Sequence, residues 1–216
     1  MLFRSVSPSK IKVEEYLKTW MEIHSQRLKP RTAESYLDLI NRYINPRIGN
    51  LQLSQIRPSH LQALYLDLGR QGGNGGSPLS SRTVNFVAAI LRKALKHAVE
   101  VEGLIPINPA SKVSAPRGIP QQNEPFSPAQ MKSFLVIIQE HRLYALFRLA
   151  IYSGARKGEL LALRWDDLDF DTNRVNISKN RVVVAGKSLV QETTKGGEGR
   201  RSIPIDPATK IGRAHV

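Results

Sequence analysis

The chain has 216 residues, enough for one large or two small domains, and its hydrophobic content of 41% is sufficient for packed cores. It has no cysteine, which excludes disulfides and cysteine-based zinc sites and is typical of a reducing cytoplasm, and it has no apolar run long enough to span a membrane. A formal net charge of +14 and a pI near 10.3 favour a polyanionic partner, and nucleic acid is the first candidate.

Apolar residues recur at helical spacing from residue 11 onward, after a leader of residues 1–9 without that pattern. A first helix is predicted over residues 11–26. Pro30 is expected to interrupt the chain and Thr32 to cap a second helix, and Asn45-Pro46 with Gly49-Asn50 are expected to close that unit. The positions expected to face inward in these two helices are Val13, Tyr16, Leu17, Trp20, Ile23, Tyr36, Leu39, Ile40 and Tyr43.

Two further helices are predicted in the same part of the chain. The third begins at Pro58, because proline suits the first helical position, and the fourth runs from about Ser80 to Val101. Their expected inward positions are Leu61, Leu64, Tyr65, Leu68, Val84, Val87, Ile90, Leu91, Leu95 and Ala98. Together the four helices predict a helical domain over residues 10–114.

A polar, proline-containing segment at residues 115–125 is typical of an interdomain linker. Ser127 and Pro128 then have the residue types preferred at the N-cap and the first position of a helix. Further on, the periodicity changes from helical to alternating. This change predicts strands around Val175 and Ile177, at 181–185, at 188–192 and at 201–205. The second domain, residues 126–210, is therefore expected to contain helices followed by a small antiparallel sheet.

Arg156 lies at a helix junction in this second domain. An apolar helix, residues 143–151, runs into Ser153-Gly154, and a second helix is expected to bury Leu160, Leu161 and Leu163. An arginine near the N-terminus of a helix is well placed to bind a phosphate group. The alternative is that Arg156 only forms an ion pair with Glu159, one turn later.

The run Ser153-Gly-Ala-Arg156-Lys-Gly-Glu159-Leu-Leu-Ala-Leu163 resembles the first arginine motif of the tyrosine recombinase (phage integrase) family, T/S-G-x-R-x-x-E-L-x-x-L. The following Leu-Arg-Trp-Asp-Asp-Leu-Asp169 continues the match. Thr194-Lys195 with Arg200-Arg-Ser-Ile-Pro-Ile205 is similar to the family's hairpin-lysine pattern, although Gly196 stands where the family usually has Thr or Ser. Three stretches resemble its N-terminal core-binding domain: Lys29–Thr32, Ser81–Asn85 and Ala98–Ala110.

This resemblance, which covers about residues 10 to 206, implies a fold and a chemistry. The fold is mainly α with a small antiparallel β-sheet, and comprises a four-helix core-binding (SAM-like) domain and the first half of an α+β catalytic domain. In this family a tyrosine hydroxyl attacks a DNA phosphodiester and forms a 3′-phosphotyrosyl bond, with no metal and no cofactor. Full-length members act on double-stranded DNA and are expected to form tetramers on it.

The resemblance also implies roles for single residues. Arg156 holds the nonbridging phosphate oxygens, Lys195 protonates the leaving 5′ oxygen, and Glu159 supports the site by orienting its helix. The residues expected to contact DNA phosphates are Arg31, Arg82, Arg92 and Lys93.

The family's H-x-x-R motif and its nucleophilic tyrosine have no counterpart after Lys195, since the last tyrosine is Tyr152. We therefore expect a C-terminally truncated chain that binds DNA without cleaving it. Residues 211–216 are predicted to be a non-native tail, because their codons can match a sequencing adapter. The alternative is a non-catalytic DNA-binding protein or regulator on the same scaffold, and a metal-dependent nuclease is a third reading.

Three other patterns are interpreted as coincidental. His24 and Arg27 spell H-x-x-R, but they precede the arginine motif instead of following it. Gly186-Lys-Ser188 is similar to a phosphate-binding loop, yet the first glycine of that motif is replaced by Arg181. Four acidic residues are expected to cap and solvate a turn instead of binding metal, because they lack the glycine-centred spacing of a calcium loop: Asp166, Asp167, Asp169 and Asp171.

Overall fold

The computed structural model describes residues 10–116, 124–191 and 200–205. The chain separates into two units, Met1–Gln121 and Gln122–Val216. The expectations for the leader (residues 1–9), for most of the linker (residues 115–125), for Lys195 and for the non-native tail (residues 211–216) lie outside the described residues. No helix within the described ranges is long and apolar enough to cross a membrane.

The regular structure described in the first unit is helical, apart from one isolated antiparallel bridge between Lys12 and Gln52. Its α-helices are α1 (Val13–His24), α2 (Pro30–Leu39), α3 (Asn45–Ile48), α4 (Pro58–Gln71) and α5 (Ser81–Glu100). The four predicted helices are confirmed, and the N-cap role of Ser80 is visible, since its hydroxyl accepts a hydrogen bond from the backbone N–H of Thr83 at 3.3 Å.

The predicted start of the second helix was wrong, and its predicted end was right in part. Pro30 is the first residue of α2 and does not interrupt it, because the fixed φ of proline suits that position, and Thr32 lies inside the helix. At the other end, Asn45-Pro46 does not close the segment, since a π-helical turn, Ile40–Ile44, leads directly into α3. The segment ends at Gly49, the C-cap of α3, as the Gly49-Asn50 pair predicted.

Twenty-seven buried apolar side chains form the described core of the first unit. The largest are Trp20, Tyr16 and Tyr65, each at most 2% exposed. The hydroxyl of Tyr16 donates a hydrogen bond to the carbonyl of Ala94 at 2.7 Å, which satisfies a polar group inside this core. Of the positions expected to face inward, Ile23 is an exception, with 52% of its surface exposed.

The second unit combines three α-helices with five short strands in its described part. The helices are α6 (Pro128–Ile137), α7 (Tyr144–Ser153) and α8 (Lys157–Leu160). The strands are β1 (Leu168–Asp169), β2 (Arg174–Ile177), β3 (Asn180–Val184), β4 (Lys187–Gln191) and β5 (Arg201–Pro204). The N-cap predicted at Ser127 is confirmed, since Ser127 and Gln130 form a reciprocal capping box.

The strands make two small antiparallel sheets instead of one. One has the order β1-β2-β5 and the other is the β3–β4 hairpin. Val175 and Ile177 alternate with exposed residues along β2 and pack with Ile205 into a small core, as the sequence pattern predicted. In the register of the first sheet, Ile177 lies opposite Arg201, so this arginine is held by the strand ladder.

Candidate active site

The backbone turns at Gly154, within the arginine motif and two residues before Arg156. Helix α7 ends at Ser153, and Gly154 adopts a left-handed conformation with φ of 59°, which glycine adopts without steric strain. The hydroxyl of Ser153 accepts a hydrogen bond from the backbone N–H of Ala155 at 3.1 Å. This turn fixes the path of the backbone into Arg156.

The helix after this turn is much shorter than expected. Helix α8 is a single turn, and Leu161, predicted to be buried, is 44% exposed. Glu159 and Ala162 are the buried residues of this segment. A helix dipole does not explain the placement of Arg156, because one turn sums few peptide dipoles and the Arg156 backbone N–H is already bound by Glu159.

Glu159 is the centre of the site and is only 1% exposed. Its Oε2 accepts from the backbone N–H of Arg156 at 2.9 Å, and its Oε1 accepts from Arg156 Nη1 at 2.8 Å. Arg201 reaches the same carboxylate from β5, with Nη2 donating to Oε2 at 2.7 Å and Nη1 lying 3.4 Å from Oε1. One buried carboxylate therefore links the arginine turn to the sheet.

The hydrogen bonds around Glu159 keep it ionised. Burial has the largest single influence and opposes ionisation, but the donors from Arg201 and Arg156 together outweigh it and lower the pKa of the Glu159 carboxyl to about 2. Glu159 is therefore a permanent anion at neutral pH, and each arginine keeps its charge beside it.

Arg156 is paired and accessible at the same time. Its side chain is 62% exposed although Nη1 is bound to Glu159. A guanidinium carries five N–H donors, so a single side-chain contact leaves most of the fork facing solvent. The ion pair considered from the sequence is present, and the exposed remainder of the fork has the geometry to bind an oxyanion.

Arg201 was missed as a site residue by the sequence analysis. It was noticed only as part of the pattern that follows the hairpin lysine. The signal in the sequence that could have identified it is its position at the start of the predicted strand 201–205. That strand pairs with β2, whose Val175 and Ile177 are buried. Its partner is 42 residues away in sequence, and no local periodicity predicts such a contact.

Lys195 lies outside the described residues, in the stretch between β4 and β5. Its assignment as the general acid stays a prediction. The roles of Arg156 and Glu159 also stay predictions, although the structure brings these two residues together.

Two of the acidic residues after α8 have capping partners. Asp167 accepts from the backbone N–H of Arg164 at 2.9 Å, and Asp169 accepts from the backbone N–H groups of Asp171 and Thr172 at 3.0 and 2.9 Å. These bonds agree with the predicted capping of the turn. Within the described ranges, no cluster of three or more acidic or histidine side chains is arranged to hold a metal ion.

The four residues expected to contact DNA all lie on helices of the first unit. Arg31 is in α2 and pairs with Glu34 at 2.5 Å, while Arg82, Arg92 and Lys93 are exposed residues of α5. Arg82 and Lys93 are eleven residues apart, which is three helical turns, so they share one face. Arg92 lies on a different side, where its Nη2 donates to the carbonyl of Val113 at 3.3 Å.

His24, the first residue of the H-x-x-R sequence, lies at the end of α1 against an aromatic side chain. Its ring stacks on Trp20, with ring centroids 4.6 Å apart. Burial, reinforced by the nearby charge of Lys93, lowers the pKa of His24 below its usual value of 6.5. This environment agrees with the interpretation of the sequence match as a coincidence.

Two family models match the chain. One describes the phage integrase N-terminal SAM-like domain and matches residues 12–68, and the other describes the phage integrase family and matches residues 125–205.

A protein named tyrosine recombinase XerC-like, from Caldanaerobacter subterraneus subsp. tengcongensis, is 30% identical over 205 residues, which are 91% of this chain and 49% of that protein. An integrase from Saccharopolyspora erythraea is 28% identical over 77% of this chain and 37% of its own length. The chain thus spans about half the length of these relatives or less.

A solved structure of the Tn1549 transposon integrase in complex with a circular intermediate DNA is also similar. The TM-score is 0.79 at 22% sequence identity, and the likeness covers 95% of this chain and 64% of that one. At this identity the likeness concerns the fold alone. It confirms the predicted class, a mainly helical protein with small antiparallel sheets.

Proposed function

Because the chain belongs to the tyrosine recombinase (phage integrase) family, we propose that it acts in site-specific DNA recombination or integration. Double-stranded DNA is the substrate class, and a 3′-phosphotyrosyl DNA intermediate is the chemical route. The single observation that carries this proposal is the exposed guanidinium of Arg156, whose Nη1 is bound by the buried carboxylate of Glu159.

Arg156 acts on the nonbridging oxygens of the scissile phosphate in this proposal. A planar guanidinium offers two parallel N–H donors to two oxygens, so it opposes the charge that grows on them during attack. Glu159 supports the site by fixing the backbone and one side-chain nitrogen of Arg156. Lys195 donates a proton to the leaving 5′ oxygen as a general acid.

The first unit supplies DNA contacts through phosphates. Its exposed basic residues Arg31, Arg82, Arg92 and Lys93 are the proposed contacts, and the +14 charge of the chain supports a polyanionic partner. The tetrameric assembly on DNA that the family implies is part of the proposal for the complete recombinase.

These 216 residues bind DNA without cleaving it in this proposal, because no H-x-x-R and no tyrosine follow Lys195 in the sequence. To test this, the chain is incubated with a nicked suicide substrate and a covalent adduct is sought on a denaturing gel. We expect none. An adduct that is lost in Tyr152→Phe would contradict the proposal, because Tyr152 is the last tyrosine of the chain.

The separate roles of Arg156 and Lys195 can be tested in a cleavage-competent recombinase that contains this segment. A thiolate leaves without a proton donor, whereas an alkoxide does not, so sulfur at the bridging 5′ position makes a general acid unnecessary. We expect Lys195→Ala to cleave ordinary DNA poorly and to recover on the sulfur substrate. Arg156→Ala should not recover, because its contacts are to the nonbridging oxygens.

Lys187→Ala is the matched control for this experiment, since Lys187 is the exposed lysine of the neighbouring hairpin. Recovery of Lys187→Ala on the sulfur substrate, without recovery of Lys195→Ala, would move the general acid to that hairpin. Equal recovery of Arg156→Ala and Lys195→Ala would refute the division of roles.

A further inference from the structure

The carboxylate of Glu159 is shared between two guanidinium groups. Arg201 makes the shortest contact, 2.7 Å from Nη2 to Oε2, and its Nη1 lies near Oε1. Arg156 uses only Nη1 of its side chain on the same carboxylate. Arg201 is therefore the closer side-chain partner of Oε2, and Arg156 is the closer side-chain partner of Oε1.

The charges of the three groups do not cancel. A pair of Arg156 and Glu159 alone would be neutral and would attract a phosphate only weakly. Arg201 adds one positive charge, so the three side chains together carry +1. Within this group of three side chains, Arg156 is the guanidinium more accessible to an anion, since its side chain is 62% exposed and that of Arg201 is 32% exposed.

We propose that Arg201 is a positioning residue for Arg156. By binding Oε2 of Glu159 and offsetting the charge of this carboxylate, Arg201 keeps the guanidinium of Arg156 available to an anionic phosphate. The inference rests on the proposed role of Arg156 in phosphate binding. Arg201 itself need not touch the DNA in this scheme.

The fold holds Arg201 in the position that this role requires. It is the first residue of β5, and its backbone lies opposite Ile177 in the antiparallel ladder with β2. Ile177 is only 2% exposed and belongs to the small core of the second unit. The guanidinium thus extends to Glu159 from a strand that packing holds in place.

Arg174 provides a matched control on the same sheet. Its Nε donates to the hydroxyl of Ser202 at 2.8 Å and its Nη2 to the carbonyl of Ser202 at 3.0 Å. Arg174→Gln removes the same charge as Arg201→Gln, but from a side chain whose hydrogen bonds go to Ser202 and not to Glu159. A comparison of the two variants separates the specific effect from the loss of one positive charge on the sheet.

The experiment measures phosphate binding at Arg156 directly. The full chain is labelled with ¹³C,¹⁵N-arginine and with ¹³C-methyl valine and isoleucine, and it is titrated with inorganic phosphate at neutral pH and constant ionic strength, since salt screens exposed charges. The Nε–Hε resonance of Arg156, assigned by its loss in Arg156→Lys, reports the Kd. The methyl resonances of Val175 and Ile177 report in the same samples whether the second unit is folded.

We expect Arg201→Gln to weaken phosphate binding by roughly two- to tenfold, the effect of one nearby charge at a partly exposed site. Arg174→Gln should stay within about twofold of the unaltered chain, because its charge is not on Glu159. The double variant Glu159→Gln/Arg201→Gln should bind phosphate more tightly than Arg201→Gln, because its site again carries +1. Arg201→Lys, which keeps the charge, should retain most of the affinity.

Each result either supports the inference or contradicts it. A folded Arg201→Gln variant with unchanged affinity, or an equal loss in Arg174→Gln, would overturn it. If Arg201→Gln does not fold, the double variant decides: a folded protein with regained affinity supports the proposal. A folded double variant without phosphate binding contradicts the proposal. If both variants are unfolded, Arg201→Lys decides: retained phosphate affinity supports the proposal, and lost affinity contradicts it. No response of Arg156 in the unaltered chain would instead refute the proposed function itself, and this inference with it.

Discussion

At the residue scale, Glu159 makes the stability of the second unit depend on pH. Its pKa in the folded chain is about 2, below the ordinary value of 4.5, so the folded state holds the proton less tightly than the unfolded state does. The resulting stabilisation is fully present above pH 4.5 and is lost as the pH falls from 4.5 towards 2. A shift of this size corresponds to roughly 3 kcal/mol of the free energy of unfolding.

The variant Glu159→Gln tests this linkage. At pH 7 we expect the second unit of the variant to be less stable than that of the unaltered chain by roughly 1–3 kcal/mol, because charge-assisted hydrogen bonds to two arginines are removed. The difference should shrink as the pH approaches 2, because Glu159 itself becomes neutral there. Urea unfolding at several pH values, followed by the Val175 and Ile177 methyl resonances, measures it.

Glu140→Gln is the control for this prediction, since it removes an exposed carboxylate from the same unit. It should leave the pH dependence close to that of the unaltered chain. A constant difference between Glu159→Gln and the unaltered chain from pH 7 to pH 2 would show that Glu159 is not held as an anion.

At the element scale, the single turn of α8 is positioned by its contact with β3. A Cβ atom at Gly158 would clash with the side-chain oxygen of Asn180 and would lie 2.8 Å from the carbonyl oxygen of Arg181. Side-chain atoms can move aside, but a carbonyl in a strand moves only with its backbone. The absence of a side chain at Gly158 therefore allows the arginine turn to approach the β3–β4 hairpin.

Gly158→Ala should accordingly destabilise the second unit, by about 1–3 kcal/mol as for other overpacked sites. The added methyl group should also shift the Nε–Hε resonance of Arg156. Chemical unfolding and the arginine spectrum are the measurements. Adding Asn180→Ala to this variant should relieve only part of the destabilisation, because the carbonyl of Arg181 remains in the way.

The control is a glycine-to-alanine change in an open position. Gly69 lies in α4 and has nothing within 4 Å of a Cβ atom, so Gly69→Ala should stabilise its helix by up to about 1 kcal/mol. If Gly158→Ala is as well tolerated as Gly69→Ala, the close approach of α8 to β3 is not needed for the stability of the second unit.

The long elements could be predicted from the sequence because their own periodicity determines them. Helix α5 buries every position that was expected to face inward, and β2 shows the predicted alternation. Helix α8 could not be predicted, because its length depends on the burial of Glu159 and on the contact of Gly158 with β3, both with partners distant in sequence. Strand β1 has only two residues, too few for a detectable period.

At the scale of the whole molecule, positive charge and buried core are both concentrated in the first unit. Residues 1–121 contain 17 of the 32 Lys and Arg residues but only 8 of the 18 Asp and Glu residues, a net +9 of the total +14. Twenty-seven buried apolar side chains form its described core, against three in the described core of the second unit. The chain therefore presents most of its excess charge on the unit with the larger described core.

This distribution predicts duplex DNA binding that depends on salt and on one face of α5. The affinity of the full chain should fall by roughly tenfold or more between about 50 and 200 mM salt, because counterions are released from the phosphates. We expect the double variant Arg82→Ala/Lys93→Ala to bind more weakly. Its slope of log affinity against log salt should be smaller by up to about 1.8, or about 0.9 for each phosphate that the variant no longer neutralises. Fluorescence anisotropy with a labelled duplex measures both quantities.

Lys18→Ala/Arg70→Ala is the matched variant for this last prediction, because it removes one lysine and one arginine from exposed positions on α1 and α4 of the same unit. Both double variants have the same net charge, so a difference between them reports position and not charge alone. The Arg82/Lys93 pair should show the larger decrease in affinity and in slope, since those two side chains project from one face of a single helix and can contact phosphates of the same duplex. Equal decreases in the two variants would show that DNA binding follows net charge, and binding that does not change with salt would refute phosphate contacts altogether.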